Sequence, residues 1–155
     1  MKNRKGFTLV ELLAVIVILG ILAAVAILSI SSILVNARKD TYVANANAAI
    51  SAARNDYMID NPTKFTWTLA EINELLEKDL VNTPFGGAYA GTSYVIRAQD
   101  GDFGICLIGS TAADGAIPKT AEKDLNRDII SLETVTCGAV PEDQPADIAT
   151  WVGAA

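Results

Sequence analysis

The sequence predicts an α+β chain, with one long N-terminal helix followed by a short helix and antiparallel β-strands. Three observations predict it. No charged residue occurs in the 26 positions from Leu12 through Ala37. Apolar residues go on recurring at helical spacing well beyond that stretch. Two β-favouring runs then flank the pair Asp100-Gly101.

The first element is the helix, expected from about Thr8 to Met58. Beyond Arg38, Lys39 and Asp40, residues Tyr42, Ala46, Ala49, Ile50, Ala53 and Tyr57 recur at spacings of three and four, the mark of one buried helical face. Asp60-Asn61-Pro62 ends it, because a residue before proline is pushed out of the helical region. Thr68-Leu69-Ala70-Glu71 reads as a capping box opening a short helix with Ile72, Leu75 and Leu76 on one face. Asn82 to Gly87 reads as a turn-rich loop. Ser93 to Gln99 and Asp102 to Gly109 are predicted to form a hairpin about the two-residue pair Asp100-Gly101. Ile129 to Cys137 is expected to add a further strand, with Ser110 to Arg127 as a loop. No structure is assigned to the tail from Pro141.

Composition narrows function. The 155 residues hold twelve Lys and Arg, eighteen Asp and Glu, and no His. Lys2, Arg4 and Lys5 lie in the first five positions, so the remainder carries nine cations against eighteen acids, about −9. Phosphate binding needs a clustered basic surface, so no direct contact with nucleic acid is expected. Lack of histidine removes the commonest general base and metal ligand. With no nucleophile-base pair or metal set in view, the expectation is a non-enzymatic chain with no cofactor and no metal.

The N-terminal 37 residues admit three readings. A bilayer core of ~30 Å needs about 20 helical residues, which this stretch exceeds. A secretory signal peptide cut after Ala26, at Ala24-Val25-Ala26, would release a secreted binding domain. However, its apolar region normally runs about 7–15 residues, Glu11 would lie inside it, and the apolar pattern continues through Leu34. A plain signal anchor gives no reason for Glu11, since a carboxylate in the span costs on the order of 2.5–3.5 kcal/mol.

The third reading rests on Lys5-Gly6-Phe7-Thr8-Leu9-Val10-Glu11-Leu12-Leu13, which closely resembles the class III signal of type IV prepilins and of the pseudopilins of type II secretion and DNA uptake. The resemblance implies the pilin fold, in which the distal half of the long helix packs on a small antiparallel β-sheet. It also implies cleavage between Gly6 and Phe7 by a membrane prepilin peptidase, N-methylation of Phe7, and assembly through the helix into a filament. The Glu matching Glu11 would pair with the terminal amine of a neighbouring subunit and set its register. Residues 1–6 would then be a leader, 7–37 the transmembrane and polymerisation helix, and 38–155 the extracellular domain, with 38–58 as the distal half of the helix. Many pilins carry a proline where this chain has Leu28, although Gly20 is retained. The implied partners are other pilins, the peptidase, the inner-membrane assembly platform and, before assembly, the membrane itself. Basic residues ahead of the span place the N-terminus in the cytoplasm and the acidic domain outside. Type IV pilus subunit is the leading reading, with a secretion or competence pseudopilin as its close alternative. Motility, adhesion and DNA uptake belong to the whole machine.

Other candidate sites are few. Cys106 and Cys137 would lie outside the membrane, where paired cysteines usually oxidise, and many pilins have a C-terminal disulfide of this kind; two separate thiols are the alternative. Asp100, Asp102 and Asp114 suit either a calcium loop or two turns. Glu142 and Asp143 read as solvated acids. Phe65, Trp67 and Trp151 fit core or subunit interface, or else an adhesive surface.

Overall fold

The structure, a computed structural model, describes residues 7–77 and 79–154, and at residues 28 and 29 the backbone alone. Residues 1–6, the expected leader, lie outside the described residues. Helix α1 spans Leu9–Ile59, within a residue of the expected ends, and runs unbroken through Gly20 and Leu28. The chain divides into two compact units at Ala37 and Arg38.

In the first unit every described side chain is exposed. This is the part of α1 that makes the helix long and apolar enough to cross a membrane.

In the second unit α1 buries Tyr42, Ala46, Ala49, Ile50 and Ala53, the residues whose spacing predicted it. They pack on a four-stranded sheet made of β1 (Thr66–Thr68), β2 (Tyr94–Arg97), β3 (Phe103–Ile108) and β4 (Ala116–Ala121). The strands lie in sequence order and all pairings are antiparallel. Alternate residues face opposite sides. Trp67, Val95, Phe103, Ile105, Leu107 and Ile117 join the α1 core. Tyr94, Ile96, Cys106, Ile108, Ala116 and Ala121 face a second core.

The predicted hairpin is β2–β3, but its connection is not a two-residue turn. The Gly101 N–H donates to Ala98 O (3.1 Å) and the Ala98 N–H to Asp102 O (2.9 Å), leaving Gln99, Asp100 and Gly101 as a three-residue loop. Gly101 has φ +96°, the glycine-favouring region that such a loop requires at its last position.

The expected strand over Ile129–Cys137 is not formed, and the fourth strand lies inside the segment expected to be a loop. Ala-Ile-Pro-Lys-Thr-Ala reads poorly as a strand because Pro118 lacks an N–H. As β4 is the last strand of the sheet, that lost donor faces away from the ladder. Ile129–Cys137 instead contributes a single bridge, Ser131 to Ala116, and buries Ile130 and Cys137.

Helix α2 (Leu69–Leu75) starts at the capping box read from the sequence, with Thr68 as N-cap and Glu71 at its third position. The tail folds into helix α3 (Ile148–Gly153), N-capped by Asp147, whose carboxylate accepts from the Thr150 N–H. Ile148 and Trp151 are buried in the second core, and Trp151 meets Tyr94 edge-on at 6.0 Å. The tail is tied to the hairpin loop, since Asp100 accepts from the Ile148 N–H (3.2 Å) and Pro145 O from the Gln99 N–H (2.9 Å).

Gly104 lets α3 lie this close, for a Cβ there would collide with the ring of Trp151 and with Ile148. Gly104→Val is therefore expected to destabilise the detergent-solubilised protein by about 1–3 kcal/mol. Hydrogen exchange over residues 147–154 should accelerate well ahead of the α1 amides.

Candidate functional site

The candidate site is the head of α1. Phe7, the first described residue, is not helical, and Thr8 is the N-cap: its carbonyl accepts the first intrahelical bond, from the Leu12 N–H at 3.2 Å. Glu11 stands at the third helical position. Its Oε2 accepts from the Thr8 N–H (2.8 Å) and from Thr8 Oγ1 (3.0 Å), and Thr8 Oγ1 in turn accepts from the Glu11 N–H (3.3 Å). These bonds make up a complete capping box. The carboxylate also lies at the positive end of the helix dipole. Its second oxygen, Oε1, has no partner among the described residues.

Sequence reasoning had singled out Glu11 and passed over Thr8. The signal was present, because Thr8-x-x-Glu11 has the spacing of Thr68-x-x-Glu71, which was read as a cap. Thr111 and Asp114 form a third such pair at a 3-10 turn. In the second box burial raises the Glu71 carboxyl, but hydrogen bonds from Lys64 and Thr68 outweigh that and hold it below the usual range.

Gly6, one half of the expected cleavage point, lies outside the described residues. Phe7 is among the most exposed side chains, at 87%. From Leu9 to Leu34 the large apolar side chains whose exposure is resolved are at least half exposed. This helix has a capped acidic head and an apolar flank all round.

Cys106 and Cys137 are joined by a disulfide across a 31-residue separation, with Cα atoms 5.6 Å apart. Both are buried, and Cys137 O accepts from the Tyr94 hydroxyl (3.3 Å). The bond ties the segment after β4 to the face of β3 turned away from α1.

The remaining candidates are placed as follows. Asp100 accepts from the Asp102 N–H and the Ile148 N–H, while Asp114 accepts from Thr111, so turn and cap bonds occupy these two carboxylates. Asp102 lies 4.0 Å from Lys123. No cluster of three metal-ligating side chains occurs among the described residues. Glu142 and Asp143 are exposed. Trp67 and Trp151 are buried core, which corrects the adhesive-surface alternative for both, and Phe65 is half-buried against the second core. Trp67 donates its indole N–H to Asp56 Oδ2 (2.7 Å). Burial raises the Tyr42 and Tyr89 phenols, the latter to about 12, and each is held by hydrogen bonds to neighbouring elements.

Residues 1–27 match the family model described as the prokaryotic N-terminal methylation motif, a signal characteristic of type IV pilins and pseudopilins. No curated protein and no solved structure matches the chain. The motif supports a type IV pilin-like or pseudopilin protein, a structural type rather than an enzymatic one. It implies processing by prepilin peptidase and assembly with other pilin-like subunits. The long helix followed by a four-stranded antiparallel sheet fits the pilin fold.

Two outcomes test this geometry. Thr8→Val removes the hydroxyl from the box and is expected to weaken the first turn by about 1 kcal/mol. Amide exchange at Glu11 should then rise roughly fivefold in detergent, with Thr8→Ser restoring it. Cys137→Ser paired with Cys106→Ser should lower unfolding stability by about 3–4 kcal/mol, the chain-entropy value for a loop of this length.

Proposed function

We propose that this chain is the prepilin of a type IV pilus subunit, cut between Gly6 and Phe7, N-methylated on Phe7 and polymerised through α1 into an extracellular filament. One observation carries the reading. A single carboxylate, Glu11, sits at the capped head of a helix that is otherwise uncharged from Leu12 through Ala37.

Cleavage creates a new cation that this carboxylate can meet. Before processing, Oε2 is held by Thr8, which lowers the cost of keeping the acid at the membrane edge. After processing, the new amine of Phe7 in a neighbouring subunit supplies a positive partner for Oε1, which has none among the described residues. Meeting in a low-dielectric bundle, the pair fixes axial register. Strength comes from the helix flank, at about 2.5 kcal/mol for each 100 Å² of apolar surface buried.

Under this reading residues 1–6 are the leader, 7–37 span the cytoplasmic membrane with the N-terminus inside, and 38–155 face outward before extraction. The partners are further pilin copies, prepilin peptidase and the inner-membrane assembly platform. The buried Cys106–Cys137 bond suits a domain that works outside the cell. It is also the feature that favours a pilus over the pseudopilus of a secretion or uptake machine, through the resemblance to pilins with a C-terminal disulfide.

The expected result is that sheared filaments contain a chain beginning at methylated Phe7, read by intact mass. Glu11→Ala should reduce filament yield at least tenfold while the processed subunit persists in the membrane. A mature chain beginning at Ile27, or normal filament yield from the alanine variant, would overturn the proposal.

A further inference from the structure

Arg38 and Lys39 are the first charged side chains after the uncharged span, and neither has an acidic partner among the described residues. The ion pairs of the second unit engage Arg54, Lys64, Lys123 and Arg127 instead. Acids are not scarce, since nine cations face seventeen acids from residue 38 onward.

The same unit has an open groove of about 650 Å³. One wall is a single face of α1, with Thr41, Asn45, Ala48 and Asn55, and the other includes Leu75 and Pro84. Glu77 and Asp79 line it, both exposed and both without a cationic partner among the described residues. Among the described residues lining the groove, Glu77 and Asp79 are the charged ones, so that wall is acidic. The small side chains on the α1 wall leave room for an approaching helix.

We propose that this groove receives Arg38 and Lys39 of a second copy of the chain, an inference that rests on the filament reading above. Charge complementarity selects the occupant. The helix contribution to the groove, Thr41 to Asn55, covers roughly 21 Å at 1.5 Å per residue. A copy displaced along the helix axis by roughly 5–25 Å would bring its basic pair level with the groove. In a bilayer the pair sits where lipid phosphates are available, and extraction strips those anions away. The acidic wall of the next copy replaces them, and like charges set opposite each other in a wrong register are penalised.

Charge reversal in the full-length chain, in cells that assemble the wild-type filament, tests the pairing. Arg38→Glu with Lys39→Glu, and separately Glu77→Lys with Asp79→Lys, should each lower sheared filament yield at least tenfold with the membrane pool of subunit unchanged. All four substitutions together should restore yield to within about threefold of wild type. A fourfold variant no better than the two double variants would overturn the pairing. So would a basic-pair reversal that empties the membrane pool while the acidic reversal changes nothing, which assigns the pair to lipid phosphate. Sheared wild-type filaments that do not contain this chain would overturn the filament reading itself, and this pairing with it.

Discussion

Every residue of β3 from Phe103 to Ile108 is buried, and a strand with no solvent face needs a cover on both sides. The distal half of α1 covers one side with small residues and Tyr42. The chain after β4 covers the other, through the Cys106–Cys137 bond at one end and α3 at the other. The sheet is thus the common partner that fixes where α1 begins to be a globular-domain helix. That transition falls at Arg38, after which buried residues first appear.

Much of this plan was legible because periodicity reports burial. The α1 face from Tyr42 to Ala53, the Thr68 cap and the β2–β3 hairpin each carry a local pattern that the packing then obeys. β4 was hidden by Pro118 and Lys119, which are poor strand residues in general and tolerable only on an edge. Whether a strand lies at an edge depends on the whole sheet, which no local window contains. The opposite error at Ile129–Cys137 has the same origin. Its β-favouring composition matches an extended segment pinned by Ile130 and Cys137, but only Ser131 reaches a partner edge. α3 did leave a trace, for Asp147 precedes Ile148 and Trp151 as a cap precedes a buried face.

The site left a signal in the sequence of a different kind. Glu11 stood out because a charge beside an uncharged span is costly and calls for a cause. Thr8 did not stand out, because threonine near a span costs little and its role appears only in the hydrogen bonds. The structure makes the two residues one unit. One Glu11 oxygen completes the helix start, and the other has no partner among the described residues.

That division bears on how one acid can serve two environments. An unpartnered carboxylate would favour leaving the membrane edge for water, whereas a fully paired one would have nothing to offer a neighbour. A capping box binds the acid through neutral donors of its own chain, so the charge is kept while its desolvation cost falls. Ordinary helices end their capping there, as at Glu71, where a lysine of the same chain completes the set. At Glu11 no such cation exists in the described chain. In the proposed assembly, the missing donor is the amine that proteolysis produces, which makes processing a chemical precondition for register as well as removal of a leader.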